Sequence, residues 1–200
     1  MFNSKDLIRL KLFSFMKAII IHGTYGNPNE NWFPWLKCEL EYKGWDVRVP
    51  KFPTPEGQTL ENWMKVFEEI RDFVDEDTIF IAHSLGPAFV LSILEDLDFR
   101  VAGCFFVAGF VGGALGVPEV DKINKSFTEK DFDWDKIKKN CGYFRTYFSD
   151  NDPFVPMKRS LEFSDKLMCD FDCSGGAGHF NSDAGYTRFE GLLKDILDKY

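Results

Sequence analysis

Short apolar runs alternate along this chain with stretches whose apolar residues recur every three or four positions. The runs cover residues 18–21, 47–49, 78–82, 101–107, 143–148 and about 168–173. Each is too brief for a helix and too uniformly apolar for a strand with one wet face, so each reads as a strand buried on both sides. Between them, Leu60, Trp63, Met64, Phe67, Ile70 and Val74 fall on one helical face. So do Phe89, Val90, Ile93, Leu94 and Leu97, and later Phe189, Leu192, Leu193 and Ile196. Trp35, Leu36 and Leu40 mark a further helix after the first run. Parallel neighbours need a crossover between them, and a helix supplies it. The alternation therefore predicts an α/β fold: a three-layer αβα sandwich with about six parallel strands.

The length of 200 residues fits one domain, expected over residues 16–200. No repeat or linker divides it. The 22 phenylalanines must supply much of the core. The net charge of −8 disfavours nucleic acid and anionic membranes as partners, and no apolar run reaches membrane-spanning length. The five cysteines are odd in number, and Cys169 and Cys173 lack a second pair for a zinc site. Cys38, Cys104 and Cys169 lie in apolar segments, which predicts buried, reduced thiols in a cytoplasmic protein. Residues 1–15 mix basic and apolar side chains, but Lys11 interrupts the apolar part and no small-residue cleavage site follows. Either Met16 is the functional start or residues 1–15 form a loose extension.

Sites in doubly wound sheets lie outside the carboxyl ends of the strands, and four strand ends carry chemistry. The third run leads through Ala82-His83-Ser84-Leu85-Gly86-Pro87 straight into a helix. That context suits a nucleophile elbow, in which a tight turn flanked by small residues lifts a serine above the sheet. Ala82 stands where a glycine is usual, and Ser84 could equally be a simple helix cap. The first run ends in His22-Gly23-Thr24-Tyr25-Gly26-Asn27-Pro28. The backbone N–H of Thr24 and that of Leu85 are candidates for an oxyanion hole, whereas the His22 side chain reads as structural. After the fifth run, Ser149-Asp150-Asn151-Asp152-Pro153 offers two carboxylates, and either Asp150 or Asp152 could orient a base. After the last, Gly175-Gly176-Ala177-Gly178-His179 can place an imidazole. Of the three histidines, His179 gives the chain order serine, acid, histidine. The site aromatics Trp32, Phe110, Phe154 and Phe180 are candidates for an apolar acyl pocket, the alternative being that they belong to the core.

The segments IHGTYGNPNENWFPWLK, VPKFPTPEGQTLENW, AHSLGPAF, SDNDPFVP and GGAGHFN run from Ile21 to Asn181. Together they resemble the small serine hydrolases related to retinoblastoma-binding protein nine and the YdeN-type predicted esterases. The resemblance implies an α/β-hydrolase fold with little or no cap, and it implies that the acid is the aspartate of D-x-x-V-P, here Asp152. The segment 108–140 matches less clearly and is expected to hold a short helix, with a modest lid as an option. The expected activity is cleavage of small or medium acyl esters, or amides, through Ser84, Asp152 and His179 and an acyl-enzyme. This chemistry needs neither metal nor organic cofactor. The alternatives are a protein-binding member of the fold with little turnover, and an acyltransferase.

Overall fold

The computed structural model describes residues 15–113 and 115–200, so residues 1–14 of the expected extension lie outside it. Six strands form one parallel sheet: β1 (Lys17–Ile21), β2 (Asp46–Arg48), β3 (Thr78–His83), β4 (Gly103–Val107), β5 (Phe144–Ser149) and β6 (Asp170–Ser174). Their order is β2-β1-β3-β4-β5-β6. The chain thus leaves β1 for one side and returns to the other, and a crevice opens where that direction reverses. Ile21 lies opposite Ala82, so β1 and β3 end level with each other.

Successive residues of each strand face opposite sides, and both sides are apolar. Ile19, Ile21, Phe80, Ala82 and Phe106 face helices α2 (Leu60–Glu68), α3 (Gly86–Asp96) and α6 (Met157–Leu167). Ala18, Ile20, Ile79, Ile81 and Phe105 face α1 (Phe33–Tyr42) and α7 (Glu190–Lys199). This is the three-layer arrangement that the alternation predicts. Helix α3 is buried from Gly86 to Leu94, which explains why its sequence is apolar nearly all round. Much of the phenylalanine sits around it. Phe52 stacks on Trp63 with ring centroids 4.6 Å apart, and Phe89 meets both edge-on at 5.0 and 5.2 Å.

Several boundaries differ from expectation. The helix expected through Val74 ends at Glu68, and a short 3-10 turn, Arg71–Phe73, follows. The last strand begins at Asp170 rather than near Met168. Met168 instead closes α6 in the left-handed region and is largely exposed. Strand β6 is exposed along most of its length because it is the sheet edge, where Asp170 and Asp172 discourage pairing with another chain. Cys104 and Cys141 are buried and Cys169 is half-buried, but Cys38 and Cys173 are exposed. The buried reading fails for Cys38 because it lies on the outer side of α1. The segment 108–140 holds two helices, α4 (Pro118–Thr128) and α5 (Trp134–Lys139), rather than one. No helix among the described residues is long and apolar enough to cross a membrane.

Phe89→Ala removes a fully buried ring from the centre of this aromatic cluster. Urea unfolding should show a loss of about 3–5 kcal/mol. A loss under about 1 kcal/mol would mean that the cluster does not close around Phe89.

Candidate active site

The chain leaves β3 through a turn in which Ser84 adopts φ 60°, a region that a non-glycine residue seldom occupies. The Ser84 N–H donates to the Val107 carbonyl at 2.9 Å, tying the turn to the end of β4. Two glycines make room for it. A Cβ on Gly23 would stand 2.6 Å from the Ser84 Cβ, and one on Gly86 would stand 2.9 Å from the Ile21 carbonyl oxygen and 3.2 Å from the Ala82 methyl. A side chain at position 86 would therefore crowd the Ala82 methyl as well as the end of β1.

Above this turn, the Ser84 hydroxyl lies 3.0 Å from His179 Nε2. On the other side of the ring, His179 Nδ1 lies 2.8 Å from Asp152 Oδ2. Asp152 Oδ1 accepts the N–H groups of Phe154 and Val155 at 2.8 and 3.0 Å, which fixes the carboxylate in its own loop. Asp150, the other aspartate of that loop, accepts the Gly176 N–H at 2.8 Å. The Ala177 N–H goes to Ser149 Oγ and the Gly178 N–H to Asn151 Oδ1. Three consecutive amides of the glycine-rich loop are thus held by three consecutive side chains at the end of β5.

The other two histidines clamp backbone. A carbonyl only accepts, so His83 Nε2–H donates to the His179 carbonyl at 2.8 Å. Burial, and then the neighbouring His179 imidazole, push His83 down to about 3. His22 Nδ1–H donates to the Gly23 carbonyl at 2.8 Å while its Nε2 accepts the Phe52 N–H at 3.0 Å, a pattern only the neutral ring can make. Burial lowers its pKa as well. The sequence reads His22 as structural, which this clamp bears out, and assigns no role to His83. Their one visible signal was position, each immediately before a residue of a sharp turn.

The Thr24 and Leu85 N–H groups find no partner among the described residues. Leu85 caps the N-terminus of α3, whose positive end faces the same space. A cleft of about 460 Å³ opens above Ser84. Its lining includes the apolar Phe110, Leu115, Val117 and Val120 and the polar Glu30, Asn31, Asn181 and Asp183. Phe154 is half-exposed at the cleft and meets the His179 ring edge-on at 5.1 Å. Of the four aromatics proposed for a pocket, Phe110 and Phe154 line the cleft. Trp32 and Phe180 do not. Both are fully buried, and the Trp32 indole N–H donates to the Phe180 carbonyl at 3.0 Å, so together they form the packed floor beneath the His179 loop. No group of three or more His, Cys, Asp or Glu side chains among the described residues could hold a metal ion.

Residues 18–197 match the family model described as Serine hydrolase. The chain belongs to the serine hydrolase family. It is 30% identical over 186 residues to the putative hydrolase YdeN of Bacillus subtilis, an alignment covering 92% of this chain and 95% of that one. It is 27% identical to the serine hydrolase RBBP9 of Rattus norvegicus, covering 90% and 93%. The crystal structure of the B. subtilis ydeN product superposes with a TM-score of 0.85, covering 92% of this chain and 98% of that one. The fold is that of the α/β-hydrolases, and this serine hydrolase is an enzyme.

The buried histidines give the hydrolase a pH-dependent stability. An unfolded histidine takes up a proton below ~6.5, whereas His83 in the fold stays neutral down to about 3. The unfolded state therefore binds more protons in that window. The stability contributed by neutral His83 is fully present above ~6.5 and is lost as pH falls towards the folded value, by about 1.4 kcal/mol per pH unit. His22 acts in the same sense. In urea unfolding between about pH 7 and 5, His83→Gln should remove one proton's worth of this slope. An unchanged slope would mean that His83 protonates normally in the folded protein.

Proposed function

We propose that this serine hydrolase cleaves small and medium acyl esters, and amides, with Ser84 as nucleophile, His179 as general base and Asp152 as the acid that orients it. The observation that carries this reading is the continuous chain from the Ser84 hydroxyl through both nitrogens of His179 to Asp152, with bonds of 3.0 and 2.8 Å. His179 Nε2 takes the hydroxyl proton as Ser84 Oγ bonds to the substrate carbonyl carbon. Asp152 holds the imidazole in the required tautomer and stabilises its charged form. The oxygen anion that develops is met by the Thr24 and Leu85 N–H groups and the α3 dipole. The bond to the leaving oxygen or nitrogen then breaks, and His179 returns the proton to it. Water attacks the acyl-enzyme by the same steps, releasing the acid and restoring Ser84.

The cleft volume suits a ligand of modest size. One domain over residues 16–200 carries the whole reaction, since both apolar faces of a single sheet position the loops. The cysteines Cys38, Cys104, Cys141, Cys169 and Cys173 are all free, which fits a reducing cytoplasm.

A fluorophosphonate probe should label the wild type and leave folded Ser84→Ala unlabelled. In His179→Ala labelling should slow by about a hundredfold or more. Labelling that persists in Ser84→Ala, or a folded wild type that takes no label, would overturn the assignment.

A further inference from the structure

Helix α4 reaches the cleft with one polar side chain, Asn124. It is 3% exposed and lines the cleft with Leu115, Val117 and Val120. Its carboxamide belongs to a chain of hydrogen bonds that runs from an exposed turn to the buried Asn124. The chain starts at the Tyr25 backbone N–H, which can only donate, and which gives its proton to Thr54 Oγ1 at 2.7 Å. The single proton of Thr54 goes on to Gln58 Oε1 at 2.5 Å. The hydroxyl could equally accept from a Gln58 NH2, but the Ile123 carbonyl, an acceptor only, lies 3.5 Å from Gln58 Nε2 and favours the orientation in which the nitrogen faces Asn124. Gln58 Nε2 donates to Asn124 Oδ1 at 2.7 Å and to Thr24 Oγ1 at 3.1 Å. Thr24 passes its own proton to Asn124 Oδ1 at 2.6 Å.

Two donors therefore converge on Asn124 Oδ1. Turning the amide over would set its NH2 against that of Gln58. Asn124 Nδ2 consequently faces away from the network, and it makes no hydrogen bond to any described residue. The amide lies in the cleft wall beside Leu115, Val117 and Val120, where its free N–H groups are open to an acceptor on a ligand.

We infer that Asn124 Nδ2 is a specificity-determining donor that selects acyl groups carrying an oxygen acceptor along an otherwise apolar chain. The inference rests on the hydrolase reading above. The leaving oxygen of a substrate on Ser84 must face His179 Nε2, which protonates it. Asn124 is bonded instead to Thr24, whose N–H is on the oxyanion side, and on this inference the acyl chain runs there, along Leu115, Val117 and Val120, which line the cleft with Asn124. Gln58 and Thr54 are positioning residues that keep the amide from turning.

The test uses matched 4-nitrophenyl esters of near-equal shape: methoxyacetate against butanoate, 3-methoxypropanoate against pentanoate, and 4-oxopentanoate against 4-methylpentanoate. The readout is the ratio of kcat/KM within each pair, compared between wild type and variant so that intrinsic ester reactivity cancels. Asn124→Asp keeps an oxygen for Thr24 and Gln58 and replaces only the atom that faces the cleft. Assays at about pH 8.5 keep it ionised, well above an ordinary carboxyl value of ~3.9. Asn124→Leu removes the donor outright. In at least one pair the preference for the oxygen-bearing ester should fall about tenfold in both variants, the loss expected for one buried hydrogen bond. A purely structural role would slow both members of a pair alike. If wild type and variants cleave both members with unchanged ratios, the inference is wrong while the hydrolase reading stands. If the wild type cleaves none of the six esters and takes no fluorophosphonate label, both fall together.

Discussion

Ser84 can occupy its strained turn only because two neighbouring positions lack a side chain. At Gly23 a Cβ would run into Ser84 itself, and at Gly86 it would run into the end of β1. Because β1 and β3 end level, these glycines let two turns lie against each other at close range. The buried helix α3 and the bond from the Ser84 N–H to Val107 hold the turn from behind. Strain at a functional position persists where its surroundings over-determine it, and here the sheet, a helix and a neighbouring turn all do so.

The loop that presents His179 is fixed by a different device. It buries Ala177 and Phe180, and its glycine-rich amides are taken up by Ser149, Asp150 and Asn151. His83 then holds the His179 carbonyl from below, and His22 does the same for Gly23. Both buried rings stay neutral because charging them would cost desolvation that nothing nearby repays. Neutral imidazoles serve well as backbone clamps in such places, since each offers one donor and one acceptor without a buried charge. On the opposite side of the cleft, the Thr54–Gln58–Thr24–Asn124 network joins the turn after β1 to helix α4. A helix of the segment 108–140 is thereby tied to the same backbone that supplies the Thr24 N–H.

The layered sheet was legible because buried parallel strands and the helices between them write different periods into the sequence. The period was weakest at the sheet edge. There β6 carries Asp170 and Asp172 and is exposed, so its start was misplaced by about two residues. The residues gathered at the cleft were legible for a topological reason: all strands of a parallel sheet end on one side, so four unusual strand ends had to meet. Between Asp150 and Asp152 the residues alone offered no choice. Both are aspartates in one turn, and only the loop's path shows that one faces an imidazole and the other an amide. Trp32 and Phe180 misled because aromatic loop residues look alike whether they line a cleft or floor it.

The sequence by itself determined the layered fold, the strand ends at which chemistry collects, and the glycines a sharp turn requires. These follow from local periodicity and from the steric limits of single residues. Tertiary structure alone decided which aromatics reach the cleft and that His22 and His83 hold backbone, and it brought Asp152, which the family resemblance implies, to His179. It also set the direction of the amide at Asn124. Such properties depend on which atoms distant in the chain come within about 3 Å of one another. A hydrogen bond of that kind leaves no period in the sequence, because its partners sit on different elements and are ordinary residues in their own segments.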